Sequence, residues 1–417
     1  MKKNIYTAIF IFLLYGNIFS QTPNTWTNLN AMPLPRPRDS HNMTWDSESQ
    51  RAILYGGHST IFPTDPFYYI ETWAYNYGTN SWALMSPDST PGARAEFAIA
   101  YNSQHDRVLF FGGNAAYWPG GIPGAMKNND TWAYDFNNDN WTNLLPATSP
   151  DSLGICRMAY DSESDRVILH DNTTAKIWAF DYSANTWTDM NPPAPAPVSN
   201  WRQTTCIAYD SNHDRIIVAT PLQETWAYDY NSNTWQQRAA SPNVAVTGGA
   251  LYDLEYDAAN DKCILYSDSM LTYSYDYTTD TWTNLNSVPS PQAHHFAMTY
   301  AEQINRMLFY GGTVGNQAMT WQYFYAGPSG VQVEENKFSI SISPNPFSIR
   351  TTITISSKLK ILNAKLFIYD LPGREVMQFA IINPKTEIQR GSLQKGFYFY
   401  KLMSRKEELG DGKLAVE

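Results

Sequence analysis

Five times the chain writes nearly the same twelve-residue phrase: ETWAYNYGTNSW (71–82), DTWAYDFNNDNW (130–141), KIWAFDYSANTW (176–187), ETWAYDYNSNTW (224–235) and LTYSYDYTTDTW (271–282). Each holds two aromatics nine residues apart, and the closing tryptophans, Trp82, Trp141, Trp187, Trp235 and Trp282, follow at spacings of 59, 46, 48 and 47. A second phrase precedes the first: WDSESQRAILYGG (45–57), YNSQHDRVLFFGG (101–113), YDSESDRVILH (160–170), YDSNHDRIIVA (209–219), YDAANDKCILY (256–266) and YAEQINRMLFYGG (300–312). A period of this length means one supersecondary unit repeated, each too small to bury its own apolar face and stable only when stacked on its neighbours.

The unit reads as four short strands. Trp73, Tyr75 and Tyr77 alternate with smaller residues, the period of a strand. AILY, VLFF and IIVA are short and apolar on both faces, as buried strands are. Asn, Asp, Ser and Gly fill the gaps, where they tolerate tight-turn dihedrals. Strand a precedes Tyr-Asp-Ser, b ends near Gly-Gly, c is Trp-Ala-Tyr-Asp and d is Asn-x-Trp-x-x-Leu. Four antiparallel strands in about 47 residues suit one propeller blade. The last unit lacks strand d, since Gly330 stands nine residues after Trp321. The missing phrase, NTWTNLN, occurs at 24–30 with no a, b or c before it and is repeated at 280–286 as DTWTNLN. The two fragments are expected to complete one blade, with 24–30 beside 320–325, for a count of six.

The pattern resembles the kelch repeat over roughly residues 24–325. The resemblance is carried by the pairs Gly56-Gly57, Gly112-Gly113 and Gly311-Gly312, by the aromatics nine apart, and by Arg38, Arg94 and Arg202 opening strand a. The middle units depart from it in lacking the glycine pair and must manage that bend otherwise. The expected fold is all-β: a six-bladed kelch-like β-propeller closed by an N-terminal strand, then a small C-terminal β-sandwich.

Residues 1–20 place two lysines before an apolar run from Ala8 to Tyr15 and end on Ser20, the pattern of a secretory signal peptide. No other stretch approaches the roughly 18 apolar residues of a membrane-spanning helix, so no span is expected. The net charge of −10 becomes −12 without Lys2 and Lys3, a poor match for nucleic acid or anionic lipid. Three cysteines, Cys156, Cys206 and Cys263, cannot form a complete set of bridges. The propeller is expected over 21–325 and a polar linker over 326–337. Residues 338–417 alternate differently, in short strands separated by Pro and Gly turns. They resemble the type A sorting domain of the type IX secretion system through Pro344-Asn345-Pro346-Phe347, Tyr369-Asp370, Gly373-Arg374, Gly396-Phe397-Tyr398 and Gly412-Lys413-Leu414. That resemblance implies passage of the inner membrane by the signal peptide, passage of the outer membrane by the C-terminal domain with the secretion machinery as partner, and later removal of that domain.

In an up-and-down blade the b–c and d–a connections share one face. The a–b and c–d turns are short and uniform, but two b–c loops are long, 58–70 and 114–129. Variable loops on a rigid scaffold are the usual carriers of function. These hold Phe62, Phe67, Tyr68, Tyr69, Tyr117 and Trp118, and Arg38, Arg94 and Arg202 are expected at the same mouth. Aromatic faces with arginine forks suit a glycan or a carboxylate-bearing peptide; the same arginines could instead bond loop carbonyls. Asp39, Glu96 and Asp253 also lie on strands a, but they do not make a catalytic pair without geometry. His294-His295 point to opposite strand faces and are poor joint ligands. Asp135-x-Asn137-x-Asp139 and Asp229-x-Asn231-x-Asn233 lack the Gly and Glu of a calcium loop and read as turns. No cofactor or metal is expected. The reading is a secreted or surface binding protein for a glycan or protein; the alternative is a propeller enzyme, a copper-radical oxidase or glycan-acting hydrolase at the channel mouth.

Overall fold

The computed structural model describes residues 23–325 except 60–67, 116–125, 173, 196, 198–204, 243–252, 268, 293–295 and 312–317, and residues 338–417 except 344, 358–363, 371–372, 382, 384 and 405–406. Among these the only helical turn is Glu302–Ile304. The chain divides into two compact units, Met1–Gly327 and Pro328–Glu417.

The first unit holds six four-stranded antiparallel sheets. Sheet 1 is Asn42–Asp46, Arg51–Tyr55, Thr72–Asn76 and Ser81–Leu84; sheet 2 is Ala98–Asn102, Arg107–Phe111, Thr131–Asp135 and Asn140–Asn143. Sheet 3 runs Cys156–Asp161, Arg166–Asp171, Ile177–Asp181, Thr186–Asp189, and sheet 4 Cys206–Asp210, Arg215–Ala219, Thr225–Asp229, Thr234–Gln237. Sheet 5 runs Asp253–Asp257, Lys262–Tyr266, Thr272–Asp276, Thr281–Asn284. Sheet 6 takes Ala297–Ala301, Arg306–Tyr310 and Thr320–Phe324 from its own repeat and Thr25–Asn28 from the far end of the chain. Trp26 stands opposite Tyr323 and Asn28 opposite Trp321.

Burial explains the stacking. The first strands of the sheets neighbour one another in the order 1-2-3-4-5-6-1. Six apolar cores fill the seams between successive sheets. One of these joins the last sheet to the first, packing Met43, Trp45 and Leu54 against Ala297, Leu308 and Tyr310. The seam between sheets 5 and 6 contains Trp26, 1% exposed, with ring centroids 4.8 Å from Tyr266, 5.6 Å from Phe309 and 5.0 Å from Tyr323.

The repeat phrases are a code for turns and seams. The tyrosine of strand a donates its hydroxyl to the carboxylate five residues on, in Tyr101–Asp106 (2.9 Å), Tyr160–Asp165 (2.9 Å), Tyr209–Asp214 (3.0 Å) and Tyr256–Asp261 (2.8 Å). Each acceptor sits at positive φ, a conformation that Asp and Asn tolerate. The strand-d tryptophan reaches the preceding sheet: Nε1 of Trp26, Trp82, Trp141, Trp187 and Trp282 donates to Oγ1 of Thr272, Thr320, Thr72, Thr131 and Thr225, at 2.8–2.9 Å. Ile177 replaces the threonine in sheet 3, and the buried Nε1 of Trp235 finds no acceptor among the described residues. Thr131→Val therefore strands the Trp187 donor, and the expected cost is about 1–3 kcal/mol in urea unfolding.

The glycine pairs let strand b run close to the next sheet. A Cβ on Gly57, at φ +87, would lie 2.6 Å from Asp39 O, while its N–H donates to Arg94 O at 2.8 Å. Sheets 3, 4 and 5 turn instead through tight loops that end on a positive φ at Ala175, Gln223 and Met270. In sheet 3, buried His170 adds an anchor, with Nε2 3.2 Å from Pro197 O.

The second unit has two antiparallel sheets. One is Phe338–Ser343, Arg350–Ser357 and Lys385–Gln389; the other is Glu375–Ile381, Ala364–Tyr369, Gly396–Ser404 and Glu407–Val416. Residues of both share one core, including Ile353, Ile388, Leu366, Leu402 and Leu414.

Candidate functional site

The long b–c loops of sheets 1 and 2 leave their sheets through short ladders. His58–Ser59 pairs with Arg38–Asp39, and Asn114–Ala115 pairs with both Arg94–Ala95 and Met126–Lys127. Arg38 and Arg94 thus stand at the roots of the loops, where their forks are used internally. Arg38 is fully buried; Nη1 donates to Gly56 O at 2.9 Å and Nη2 to Glu71 Oε2 at 2.6 Å. Arg94 donates to Gly112 O at 3.1 Å and grips Asp130 with both Nη atoms, at 2.8 and 2.9 Å. These arginines hold the glycine bend against the strand-c acid, so they do not offer forks at the mouth. Tyr69 is 3% exposed beneath the Arg38 guanidinium, whose carbon lies 4.3 Å from the ring centroid. Tyr68 is half-buried, its ring edge-on to His58 at 5.7 Å. Phe62, Phe67, Tyr117, Trp118, Arg202, His294 and His295 lie outside the described residues.

What the ladders bring together is a polar cluster: Asp39, His58, Glu96 and Asn114. His58 Nε2 lies 2.6 Å from Asp39 Oδ1. Burial alone would lower the imidazole pKa, but hydrogen bonding to Asp39 and the charges of Asp39 and Glu96 outweigh it and raise it. Glu96, at φ +59, accepts from Asn114 Nδ2; burial raises its carboxyl, while Asn114, His58 and Arg157 pull the other way.

Beyond the cluster, the first strands of all six sheets enclose a channel cavity of ≈ 270 Å³. Its charged lining is Arg157, Asp253, Glu255 and Glu302. Asp253 and Glu255 project two apart from one strand, partly open to the channel yet deep in the protein. Asp253 accepts the N–H groups of Met298 (2.8 Å) and Leu254 (3.0 Å); Glu255 accepts that of Tyr300 (3.3 Å). Burial pushes Asp253 up to about 6, and burial together with the Asp253 charge pushes Glu255 well above the usual range. Both folded-state values exceed the unfolded ones near 4. The stability they contribute is therefore complete below about pH 4 and lost as pH rises through each group's raised value, about 6 for Asp253. Glu255→Gln keeps an acceptor for Tyr300, and its Tm is expected to fall less than wild type between pH 4 and pH 7, by roughly a few degrees. Identical pH profiles would contradict this assignment.

Sequence reasoning singled out Asp39, Glu96 and Asp253 but missed His58, Asn114, Arg157 and Glu255. Strand alternation offered a signal for Glu255, two residues from Asp253. The arginines also had one: Arg38, Arg94 and Arg202 occur in the repeats whose strand c opens on an acid, Glu71, Asp130 and Glu224.

The remaining candidates resolve simply. All three cysteines are buried thiols. Asp135 accepts from Asn138 N–H and pairs with Arg107, and Asp229 accepts from Asn231 and Ser232 N–H, so both behave as turn caps. In the second unit Asn345 clasps the last strand, donating to Lys413 O at 3.0 Å and accepting from Ala415 N–H at 2.8 Å. Phe347 is buried beside it, and Pro346 follows Asn345 on the surface. Arg374 doubles back onto Asp370 across a turn with Gly373 at φ +86. Gly412 pairs opposite Tyr400. Pro344 lies outside the described residues.

Residues 15–219 match the KLHDC2/KLHL20/DRC7 Kelch-repeats domain, and residues 341–417 match the secretion system C-terminal sorting domain. No curated protein matches the chain. Among solved structures, that of YjhT is similar, at 12% identity and TM-score 0.48, covering 78% of this chain and 99% of that one. A protein of unknown function from Bacteroides thetaiotaomicron is similar at 9% identity and TM-score 0.48, covering 73% of each chain.

Proposed function

From the premise that this is a kelch-repeat protein with a type IX sorting domain, and so a secreted or cell-surface protein that engages the type IX machinery, we propose that it is a binding protein whose recognition face is the loop-bearing mouth of sheets 1 and 2. On this reading the six sheets are the blades of a propeller, the second unit is a β-sandwich that directs export, and residues 1–20 are a cleaved signal peptide. The carrying observation is that the ladders at the roots of the two long loops, His58–Ser59 on Arg38–Asp39 and Asn114–Ala115 on Arg94–Ala95, bring Asp39, His58, Glu96 and Asn114 together. A rigid scaffold, variable loops and convergent polar groups are the usual ingredients of a recognition site.

The chemistry of the mouth narrows the ligand. With Arg38 and Arg94 spent internally, the cluster itself presents two carboxylates, an imidazole and an amide, with exposed Lys127 across the ladder from Asn114. Carboxylate and amide groups bond sugar hydroxyls or peptide N–H groups, and Tyr68, with the loop aromatics Tyr117 and Trp118, offers faces for rings to stack on. The ligand is a neutral or basic glycan, or a peptide segment of the same character. On a glycan and peptide array the full chain is expected to bind such a species, and a Tyr68→Ala/Trp118→Ala variant to bind it at least about tenfold more weakly, the equivalent of about 1.4 kcal/mol. Equal binding by both proteins would remove this face from consideration.

A further inference from the structure

On the opposite face, in the a–b turns, two histidines occupy the same position of the repeat: His105 in sheet 2 and His213 in sheet 4. Each ring packs on a tyrosine of the next sheet, Tyr182 or Tyr277, at 4.8 or 4.7 Å. Each Nε2 meets a hydroxyl there, Ser183 Oγ at 3.0 Å or Thr278 Oγ1 at 3.1 Å. The surroundings of Nδ1 differ. His105 Nδ1 faces the amide oxygen of Asn102 at 3.3 Å and one carboxylate, Asp165 Oδ1, at 3.5 Å. His213 Nδ1 faces two carboxylates, Asp210 Oδ2 at 2.9 Å and Asp261 Oδ1 at 3.6 Å.

We propose that Asp210, His213 and Asp261 form a zinc-binding site at the seam of sheets 4 and 5. The three ligand atoms lie within 4.8 Å of one another. Separations of 2.9 and 3.6 Å between donors suit atoms that each stand about 2.0–2.2 Å from a shared ion. One imidazole with two carboxylates is a donor set for zinc, and three protein ligands leave a position for water. The outer shell is in place. With an ion on Nδ1 the ring proton sits on Nε2, where Thr278 Oγ1 at 3.1 Å can accept it. Asp210 spends Oδ1 on the N–H groups of Asn212 and His213, both at 3.1 Å, and keeps Oδ2 toward the ring. Asn212 Nδ2 holds Asp261 Oδ2 at 3.0 Å, and Tyr256 donates to Asp261 Oδ1 at 2.8 Å. The site is reachable: the side chains of His213 and Asp261 are 22% and 35% exposed. An ion there would pin two neighbouring sheets, one through Asp210 and His213 and the other through Asp261. These residues are scattered over 52 positions and belong to two repeats, so no local spacing marks them in the sequence.

Sheet 2 supplies the control. Asp210→Asn reproduces the composition that sheet 2 already folds with at Asn102, so loss of metal in this variant is not loss of fold. Untagged full-length protein, stripped of metal and dialysed against buffered zinc, is expected to take up one zinc more per chain than Asp210→Asn. Zinc is expected to raise the Tm of wild type and leave that of the variant unmoved. Asn102→Asp, which gives His105 a second carboxylate, is expected to gain one zinc over wild type. Equal uptake by wild type and Asp210→Asn, or no gain by Asn102→Asp, overturns the proposal.

Discussion

Deletion of residues 23–30 is expected to lower the Tm by roughly 10 °C or more, or to prevent folding. The segment supplies a whole strand to sheet 6 and the largest buried side chain of the seam between sheets 5 and 6. Replacing a buried Trp by Ala costs about 3–5 kcal/mol, and the Trp26–Thr272 bond and the backbone ladder add about 0.5–1.5 kcal/mol each. Against a total stability of about 5–15 kcal/mol, that sum is most of what the domain has. The edge left behind at Thr320–Phe324 would expose unpaired N–H and C=O groups, a template for aggregation. Trp26→Ala alone should cost at least about 3 kcal/mol in a urea melt. A deletion variant that melts with wild type would mean the strand is an ornament.

Asp130→Ala is the second large effect. It leaves Arg94, 8% exposed, with only Gly112 O among the described residues, and it removes the acceptor of Trp132 Nε1 at 2.7 Å. Stranding a buried charge costs about 3–5 kcal/mol. Asp130 is itself 23% exposed, which places the expected loss near the lower end, about 3 kcal/mol. Replacing both partners with apolar residues, as in Arg94→Met/Asp130→Leu, should recover part of the loss, because no charge is then left unpaired. A double variant no better than Asp130→Ala would show that the pair acts through something other than charge. The pair also roots the loop at 114–129, so Asp130→Ala should weaken ligand binding at the mouth as well as stability.

How much of this was written in the chain depends on whether a residue repeats. The strands, the turns and the partner of Thr25–Asn28 follow from a period that recurs six times, because each repeat meets the same environment. The arginines repeat too, but reading them correctly required pairing them with acids some 33–36 residues away. Channel and mouth residues do not repeat. Arg157 and Glu255 line the channel and His58 and Asn114 stand in the loop ladders, where each sheet contributes something different, so no period marks them. The same holds for the gap at Trp235: Ile177 keeps the burial of its repeat position and loses only the hydroxyl, a difference that matters through one tryptophan in another sheet.

The two ends of the first unit share a sheet, and that pairing sets which loops lie together. Asn28 stands directly opposite Trp321 in the ladder. In an Asn28→Cys/Trp321→Cys variant, with the three native thiols buried, mild oxidation is expected to join the two introduced cysteines, seen as one disulfide-linked pair of peptides by mass spectrometry. Recovery of both introduced thiols in free, alkylated form from oxidised, folded protein would contradict the shared sheet.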